Sequence, residues 1–208
     1  MKIEKNVQVI PGSPEIVTQR LRLRPWAVED ANAALKIFGH RDVSRWLAPA
    51  LNTITNRDEM RNLLEAWLSE SPAIDMPLGR WAVELRESGE LVGAASLLPL
   101  PPGRADLEIG WQIAPAHWGH GFGAEAGHAV AHQAFSTDVT EVFAVVRPRN
   151  NRGISTARRV GMEWVGETDK YYGLTLQVYR LAKADLDIST PGDAETAGPT
   201  ESFNTQAL

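Results

Sequence analysis

Hydrophobic residues recur at two different spacings along this chain, and the two spacings alternate from segment to segment. In TQRLRLRPW, Leu21 and Leu23 alternate with arginines, which is the two-residue period of a half-buried strand. In RDEMRNLLEAWLSE, apolar residues return every three or four positions, the period of an amphipathic helix, and Asn56 precedes them as a helix cap. This alternation predicts a mixed α/β (α+β) domain in which helices cover the faces of a central sheet.

Further segments extend the same order toward the C-terminus. WAVELRESGELVGAASLLPL has the pattern of a hairpin that turns at Ser-Gly-Glu, and DLEIGWQIAP has that of another strand. An alanine-rich helix to about Phe135, the strand EVFAVVRP, a helix ending at Gly161 and two closing strands follow. We expect an N-terminal arm over residues 1–15, one folded domain over 16–182, and a disordered acidic and polar tail over 183–208.

Composition excludes several classes of function. The formal net charge of the 208 residues is −5, whereas nucleic-acid-binding domains are usually basic, so we expect no nucleic-acid partner. The lack of cysteine removes disulfides, thiolate metal sites and cysteine nucleophiles. No apolar run approaches the roughly 20 residues that span a bilayer, and the N-terminus lacks the apolar core of a signal peptide. We therefore predict a cytoplasmic protein with no membrane partner.

The segment HWGHGFGAEA, residues 117–126, places three glycines at the start of a predicted helix. Helix N-termini carry backbone N–H groups without helical partners and a partial positive charge, and glycine lets a phosphate approach the backbone closely. Two interpretations follow from these residues alone: a tight turn that needs glycine for packing, or a dinucleotide-binding loop of the form G-x-G-x-x-A. The second belongs in a first βαβ unit with an acidic residue about 20 positions later, a context that is missing here.

A third interpretation comes from resemblance to a known family. WGHGFG resembles the pyrophosphate loop Q/R-G-x-G-x-G/A of the GNAT superfamily of N-acetyltransferases. Trp118 stands in place of the usual Gln or Arg, as in the branch that resembles the ribosomal-protein N-terminal acetyltransferases. TQRLRLRPW resembles that branch's opening strand, WAVELRESGELVG its central hairpin, and NNRGISTARRVGM its second cofactor block. The resemblance covers residues 18–182, and its specificity lies in the combination and order of these blocks.

The resemblance implies a GNAT-type mixed sheet of about six or seven strands, splayed between two parallel strands, here DLEIGWQI and EVFAVVRP. The cosubstrate acetyl-CoA would lie in that split, with its pantetheine arm against the first strand and its diphosphate on the glycine segment. The residues implied to bind it are Gln112, Ile113, Ala114, Trp118, Gly119, His120, Gly121, Phe122, Gly123, Ala124 and Asn150. A second role is open for Asn150, because its position just before a predicted helix is also that of an N-cap.

Direct transfer of the acetyl group to a primary amine, assisted by a general base, is the reaction that the resemblance implies. Glu108 is the candidate base, because an acidic residue on the strand beside the split is frequent in the family. Alternatively, Glu108 is a structural carboxylate paired with an arginine such as Arg80 or Arg104. The tyrosine that many members of the family have as an acid is replaced by Ala157, and the serine frequent in the closer branch is replaced by Gly153. The remaining candidates for the acid that protonates the leaving thiolate are Ser155, Tyr171 and Tyr172.

The acceptor and the occurrence of catalysis stay open. The acceptor is a protein N-terminus, a protein lysine or a small amine. The missing tyrosine and serine motivate an alternative in which the chain is a CoA-binding regulatory module with little or no catalysis. His128 and His132 have the four-residue spacing of a metal pair, but no third ligand is evident, so we expect solvent-facing histidines and no metal. We expect a monomer or a homodimer.

Overall fold

The fold is one mixed sheet with helices on both faces, as the hydrophobic pattern predicts. The computed structural model describes residues 7–9, 13–71, 75, 77–101 and 106–186. The strands are β1 (Gln8–Val9), β2 (Ile16–Val17), β3 (Leu21–Pro25), β4 (Gly79–Leu85), β5 (Leu91–Pro99), β6 (Leu107–Ile113), β7 (Glu141–Val146), β8 (Glu163–Thr168) and β9 (Leu176–Ala182). The helices are α1 (Ala31–Phe38), α2 (Arg41–Ser44), α3 (Arg57–Glu70), α4 (Phe122–Phe135) and α5 (Asn151–Val160).

The sheet opens in its middle, between its two parallel strands. Its order is β1-β2-β3-β4-β5-β6-β7-β9-β8, and every neighbouring pair is antiparallel except β6 and β7. Those two strands share a single paired position, Glu108 with Phe143. Beyond that position β6 continues without a partner on its β7 side. This arrangement confirms the expected splay between the two parallel strands.

The sheet is wider than the six or seven strands expected, because nine strands join it in the described residues. The difference lies at one edge, where β1 and β2 contribute two residues each. Strands this short carry no measurable hydrophobic period, so the sequence did not reveal them. One of them, β1, comes from the predicted arm and pairs with Ile16 and Val17.

Two hydrophobic cores lie on opposite faces of the sheet. On one face α4 packs mainly against β5 and β6, and its Ala126, Ala129 and Val130 have no solvent exposure. On the other face α1 and α3 cover a second core. Neighbouring residues of β4 divide between the two, since Ala82 belongs to the second core and Val83 to the first. Alternation of side chains across a strand therefore gives this sheet two buried faces.

The folded domain extends beyond the predicted boundary at residue 182. Lys183–Asp185 form a 3-10 helix, and Leu186 is buried in the core. The backbone N–H of Lys183 donates to the carbonyl of Thr140, which holds this turn against the end of the sheet. The polar composition of this segment gave no indication that Leu186 would be buried and would anchor the turn. Residues 187–208 of the predicted tail lie outside the described residues. Within the described ranges, none of the helices combines the length and the apolar character needed to cross a membrane.

Candidate functional site

A cleft of about 710 Å³ opens where β6 and β7 part. Its floor is β6 with neighbouring residues of β4 and β5. One wall is formed by the N-terminal ends of α4 and α5, and the facing wall includes residues from α1, α2 and the segment that follows α2. Most of the residues predicted from the sequence line this cleft. They are Glu108, Gln112, Ile113, Trp118, Gly119, Gly121, Phe122, Gly123, Ala124, Asn150, Ser155 and Tyr172. Three predicted residues, Ala114, His120 and Tyr171, are not among the lining residues.

The three glycines of the loop before α4 serve two different purposes. Gly119 and Gly121 have φ angles of +85° and +79°, a backbone region that L side chains rarely adopt. Gly121 is the N-cap residue of α4. Gly123 lies inside the helix, where a Cβ atom would stand 3.3 Å from Cγ2 of Thr156 on α5. The first two glycines therefore shape the turn, and the third lets α5 approach α4.

The turn leaves a row of backbone N–H donors at the N-terminal end of α4, which borders the cleft. The first helical hydrogen bond runs from the N–H of Glu125 to the carbonyl of Gly121, at 3.0 Å. Within the part of the chain that the structure describes, the N–H groups of residues 119–124 have no backbone or side-chain acceptor. A Cβ atom at Gly119 would meet nothing within 4 Å, so the space beside the loop is open. Free donors, open space and the positive end of a 14-residue helix together suit a diphosphate.

Trp118 braces the loop against the floor of the cleft. Its indole Nε1–H donates to the carbonyl of Ile113 at 2.7 Å. On its ring lies the guanidinium of Arg152 from α5, with Cζ 4.0 Å from the ring centroid. Trp118 thus connects the end of β6, the loop and α5. This geometry gives tryptophan a structural role at a position where the family usually has Gln or Arg.

A buried ion pair that the sequence did not reveal holds the other side of the loop. Glu125, in the first turn of α4, is 4% exposed and accepts from the Thr18 hydroxyl at 2.6 Å and from Arg20 Nε at 2.7 Å. The same arginine donates from Nη1 to the carbonyl of His120 at 2.9 Å, and its Cζ lies 4.8 Å from the Phe122 ring centroid. Arg20 and Glu125 stand 105 positions apart, so nothing local in the sequence links them. Together they tie the start of β3 to the glycine loop.

The floor strand offers fewer free backbone groups than the resemblance implies. The N–H of Ala114 donates to the carbonyl of Val92 at 2.9 Å, so it is not available to a cofactor. Backbone bonding alternates along antiparallel strands, and Gln112 is therefore also directed toward β5, opposite Ala94. Of these three residues, Ile113 alone directs its backbone toward the split, and its carbonyl is taken by Trp118. Of the three backbones predicted to pair with pantetheine, only Ile113 retains a free group, its N–H.

Glu108 lies at the point where the two parallel strands separate. Its Oε2 accepts from the Tyr172 hydroxyl at 3.2 Å, and the backbone N–H of Val145 also donates to the carboxylate. Burial outweighs these two hydrogen bonds and raises the pKa of Glu108 to about 7. Arg80, one of the partners considered for a structural role, lies instead against Glu70, with Nη1 and Oε2 3.2 Å apart. Arg104, the other, lies outside the described residues.

The three candidate proton donors occupy different environments. Tyr172 lines the cleft, and burial together with the adjacent Glu108 raises its pKa, so it stays protonated beside the carboxylate. Tyr171 points elsewhere, because its hydroxyl donates to Asp106 Oδ2 at 2.7 Å and it does not line the cleft. The side chain of Ser155, on α5, is exposed at the cleft. The structure therefore removes Tyr171 from the site and leaves the other two.

Asn150 is the N-cap residue of α5, which is one of the two roles predicted for it. Its Oδ1 accepts from the N–H of Gly153 at 3.1 Å, which leaves its Nδ2 available to the cleft. A Cβ atom at Gly153 would lie 2.8 Å from that Nδ2 and 2.9 Å from Cγ1 of Val146. This crowding explains why glycine occupies the position where the resemblance to the closer branch implied serine. Ala157, at the family's tyrosine position, has no solvent exposure.

The two histidines on α4 contact each other. The rings of His128 and His132 are 4.7 Å apart and roughly perpendicular, and both side chains are partly buried rather than fully solvent-facing as expected. Among the described residues, no cluster of three or more His, Cys, Asp or Glu side chains could hold a metal ion.

The chain is similar in sequence to known acetyltransferases. The family model described as "Acetyltransferase (GNAT) domain" matches residues 20–163. A Bacillus subtilis protein, the uncharacterized N-acetyltransferase YoaA, is 28% identical over 160 residues, which cover 76% of this chain and 88% of that protein. The uncharacterized N-acetyltransferase p20 of Bacillus licheniformis is 22% identical over 171 residues, covering 80% and 94% of the two chains.

Solved structures share the fold. An acetyltransferase of the GNAT family from Bacillus anthracis superposes with a TM-score of 0.64 at 21% identity, covering 80% of this chain and 95% of its own. RimL, a ribosomal L7/L12 α-N-protein acetyltransferase solved in complex with coenzyme A, has a TM-score of 0.63 at 17% identity, covering 80% and 96%. The family model spans most of the folded domain, including the cleft floor, the glycine loop and α5. The chain belongs to the GNAT family and is an acetyltransferase.

Proposed function

We propose that this enzyme transfers the acetyl group of acetyl-CoA directly to a primary amine, with Glu108 as the general base. The observation that carries the proposal is the carboxylate of Glu108 at the mouth of the β6–β7 split, with a pKa of about 7. A general base works best when its pKa lies near the working pH, because it is then both available and basic enough. An ordinary exposed glutamate would be a far weaker base.

The cleft fits acetyl-CoA on grounds of its own geometry. The open donors of residues 119–124 suit the diphosphate, and the free N–H of Ile113 and Nδ2 of Asn150 suit the amide groups of the pantetheine arm. Bound acetyl-CoA supplies an activated thioester, and the exchange forms a carbon–nitrogen bond and breaks a carbon–sulfur bond. In this placement the thioester would lie at the split, on the side of the cleft where Glu108 stands.

Side chains of the cleft accept and donate the protons that the reaction exchanges. Glu108 takes a proton from the incoming ammonium group, so that a neutral amine attacks, and it holds that proton on a carboxyl oxygen. Tyr172 donates to the same carboxylate and fixes its orientation. The departing thiolate needs no dedicated acid, because a thiol pKa of roughly 8.5 lets solvent supply the proton near neutral pH. Ser155, exposed on α5, is the remaining side chain that can assist this last step.

The test measures CoA released from acetyl-CoA with a thiol reagent over a panel of amines and peptides with free N-termini. The chain contains no cysteine, so every thiol detected comes from CoA. We expect release with at least one acceptor and its loss in Glu108→Gln. Tight CoA binding without release from any acceptor would support a regulatory CoA-binding module instead. No affinity for CoA would contradict both functions.

A further inference from the structure

The cleft has a second polar group on its floor, away from the split. Side chains opposite one another on paired strands share a face, and Arg80, Ser96 and Gly110 are opposite one another across β4, β5 and β6. Glu108 lies two positions along β6 from Gly110 and therefore faces the same side. Two strand spacings of roughly 4.8 Å separate the backbones of Arg80 and Gly110, about 10 Å in all. The base and an arginine thus stand at two ends of one open floor.

The floor is kept open between these two ends. A Cβ atom at Gly110 would lie 2.6 Å from Ser96 Oγ, so glycine is required for the serine to occupy this position. Arg80, Ser96 and Gly110 all line the cleft. A molecule resting on this floor would contact the arginine at one end and the proposed base at the other.

An aromatic wall stands beside the arginine. Trp26, Phe38 and Trp67 line the cleft and contact one another, with ring centroids 5.5 to 6.2 Å apart. The guanidinium carbon of Arg80 lies 5.6 Å from the Trp67 centroid. Stacking of this kind holds a guanidinium in place while leaving its edge free to donate hydrogen bonds. The wall also provides an apolar surface for the body of a ligand.

Two donors at this end of the cleft are buried without an acceptor in the described part of the chain. Trp26 is 5% exposed, and its Nε1–H makes no hydrogen bond. Nη1 of Arg80 is also buried and makes no aligned hydrogen bond, although Glu70 Oε2 lies 3.2 Å away. Glu70 itself is 57% exposed, so water screens its charge. A buried donor without an acceptor is costly, and here both donors line a cavity that a ligand can enter.

We propose that Arg80 and Trp26 form a carboxylate-binding subsite, so that the acceptor is a small amine that also carries a carboxylate. This inference rests on the proposed function and specifies its substrate class. The planar fork of a guanidinium matches a carboxylate, and the indole N–H supplies a further donor. The apolar part of the acceptor lies against Phe38 and Trp67, while its amine reaches toward Glu108.

The test compares acceptors that carry a carboxylate with their carboxamides, each rate being expressed per neutral amine because the two forms differ in amine pKa. Leucine, phenylalanine, β-alanine, 4-aminobutyrate and 6-aminohexanoate are each assayed against their carboxamides by thiol release. We expect kcat/KM to be at least about tenfold higher for one or more carboxylates, the effect of one charge-assisted hydrogen bond. Arg80→Gln should remove this preference. Arg61→Gln, which removes an exposed arginine of α3 paired with Glu65, is the matched control and should retain it.

A binding measurement separates failure of this inference from failure of the proposed function. N-acetylphenylalanine and its amide are titrated by calorimetry into the protein saturated with CoA, which needs no turnover. Tighter binding of the acid by at least about tenfold, lost in Arg80→Gln, supports the subsite even when no acetyl transfer is detected. Transfer to amines with equal rates for acids and amides overturns the subsite and leaves the proposed function intact. A peptide N-terminus preferred over every free amino acid also overturns it and assigns a protein acceptor.

Discussion

Replacing Glu108 with glutamine tests the base through protein stability as well as through catalysis. The substitution keeps the size of the side chain but removes its ability to ionise. In the wild-type protein burial raises the pKa of Glu108 from the ordinary 4.5 to about 7. The native protein therefore retains a proton that the unfolded chain releases as the pH rises from 4.5 to 7.

This difference in proton binding sets the size of the effect. The stability that protonated Glu108 contributes is present below pH 4.5 and is lost as the pH rises through 7. A pKa difference of about 2.5 corresponds to about 3 kcal/mol of unfolding free energy. A glutamine at this position does not ionise, so its contribution to the free energy of unfolding does not change with pH. The free energy of unfolding of Glu108→Gln minus that of the wild type should therefore increase by about 3 kcal/mol between pH 4.5 and 8.5.

The assay is urea denaturation of both proteins across this pH range, followed by the fluorescence of the seven tryptophans. Taking the difference between the two proteins cancels every other titrating group. Glu87→Gln, which removes an exposed carboxylate from the β4–β5 turn, serves as the matched control. A difference that does not change with pH would refute the raised pKa and, with it, the argument for Glu108 as base. In the transfer assay, the wild-type kcat/KM should level off near pH 7, and Glu108→Gln should lose about 10²-fold or more.

Three further predictions concern the loop and its supports. Gly121→Ala and Gly89→Ala both place alanine at a positive φ and should each cost about 1 kcal/mol of stability, but only Gly121→Ala should weaken CoA binding in calorimetry. Equal CoA affinities in the two variants would contradict a diphosphate role for the loop. Glu125→Gln should lower the unfolding free energy in urea by about 2 kcal/mol, because it weakens a buried, charge-assisted network; unchanged stability would show that the network contributes nothing. Asn150→Ser should retain stability, because serine also caps helices, but it should raise the Kd for CoA because the amide donor is lost. Asn150→Ala should raise the Kd for CoA and also lower stability by about 1 kcal/mol in thermal unfolding, because it removes the cap. CoA affinity in Asn150→Ser equal to that of the wild type would restrict Asn150 to capping.

Local pattern was sufficient wherever the interaction partners lie close in sequence. The two-residue alternation of β3 placed Leu21 and Leu23 in the core, and both have no solvent exposure. The helix signals were equally local: Asn56 caps α3, and Gly161 ends α5 at a φ angle of +100°. The same reasoning missed β1 and β2, because two-residue strands are defined only by their neighbours in the sheet.

The candidate site divides in the same way between local and distant contacts. The glycine loop was identified from its own residues, since torsion and helix polarity act within a few positions. Pairing between distant segments decided the rest. The N–H of Ala114 donates to β5 and is therefore occupied, and the hydroxyl of Tyr171 donates to Asp106 rather than facing the cleft. The pairing of Arg20 with Glu125 likewise needed the folded chain.

The pattern of residues along the chain was enough to predict the longer elements, the family and the glycine loop proposed to hold the diphosphate, because those features depend on contacts within a few residues. Which candidate side chains meet depends on the packing of segments that lie far apart in the sequence. This packing buried Glu108 at the split, and this burial raised the pKa of the carboxyl to about 7 despite the hydrogen bond from Tyr172. It also set Arg80 at the far end of the same floor, beside the aromatic wall that includes Trp26. Desolvation and pairing across the sheet depend on the packing of distant segments, and no local pattern of residues encodes them.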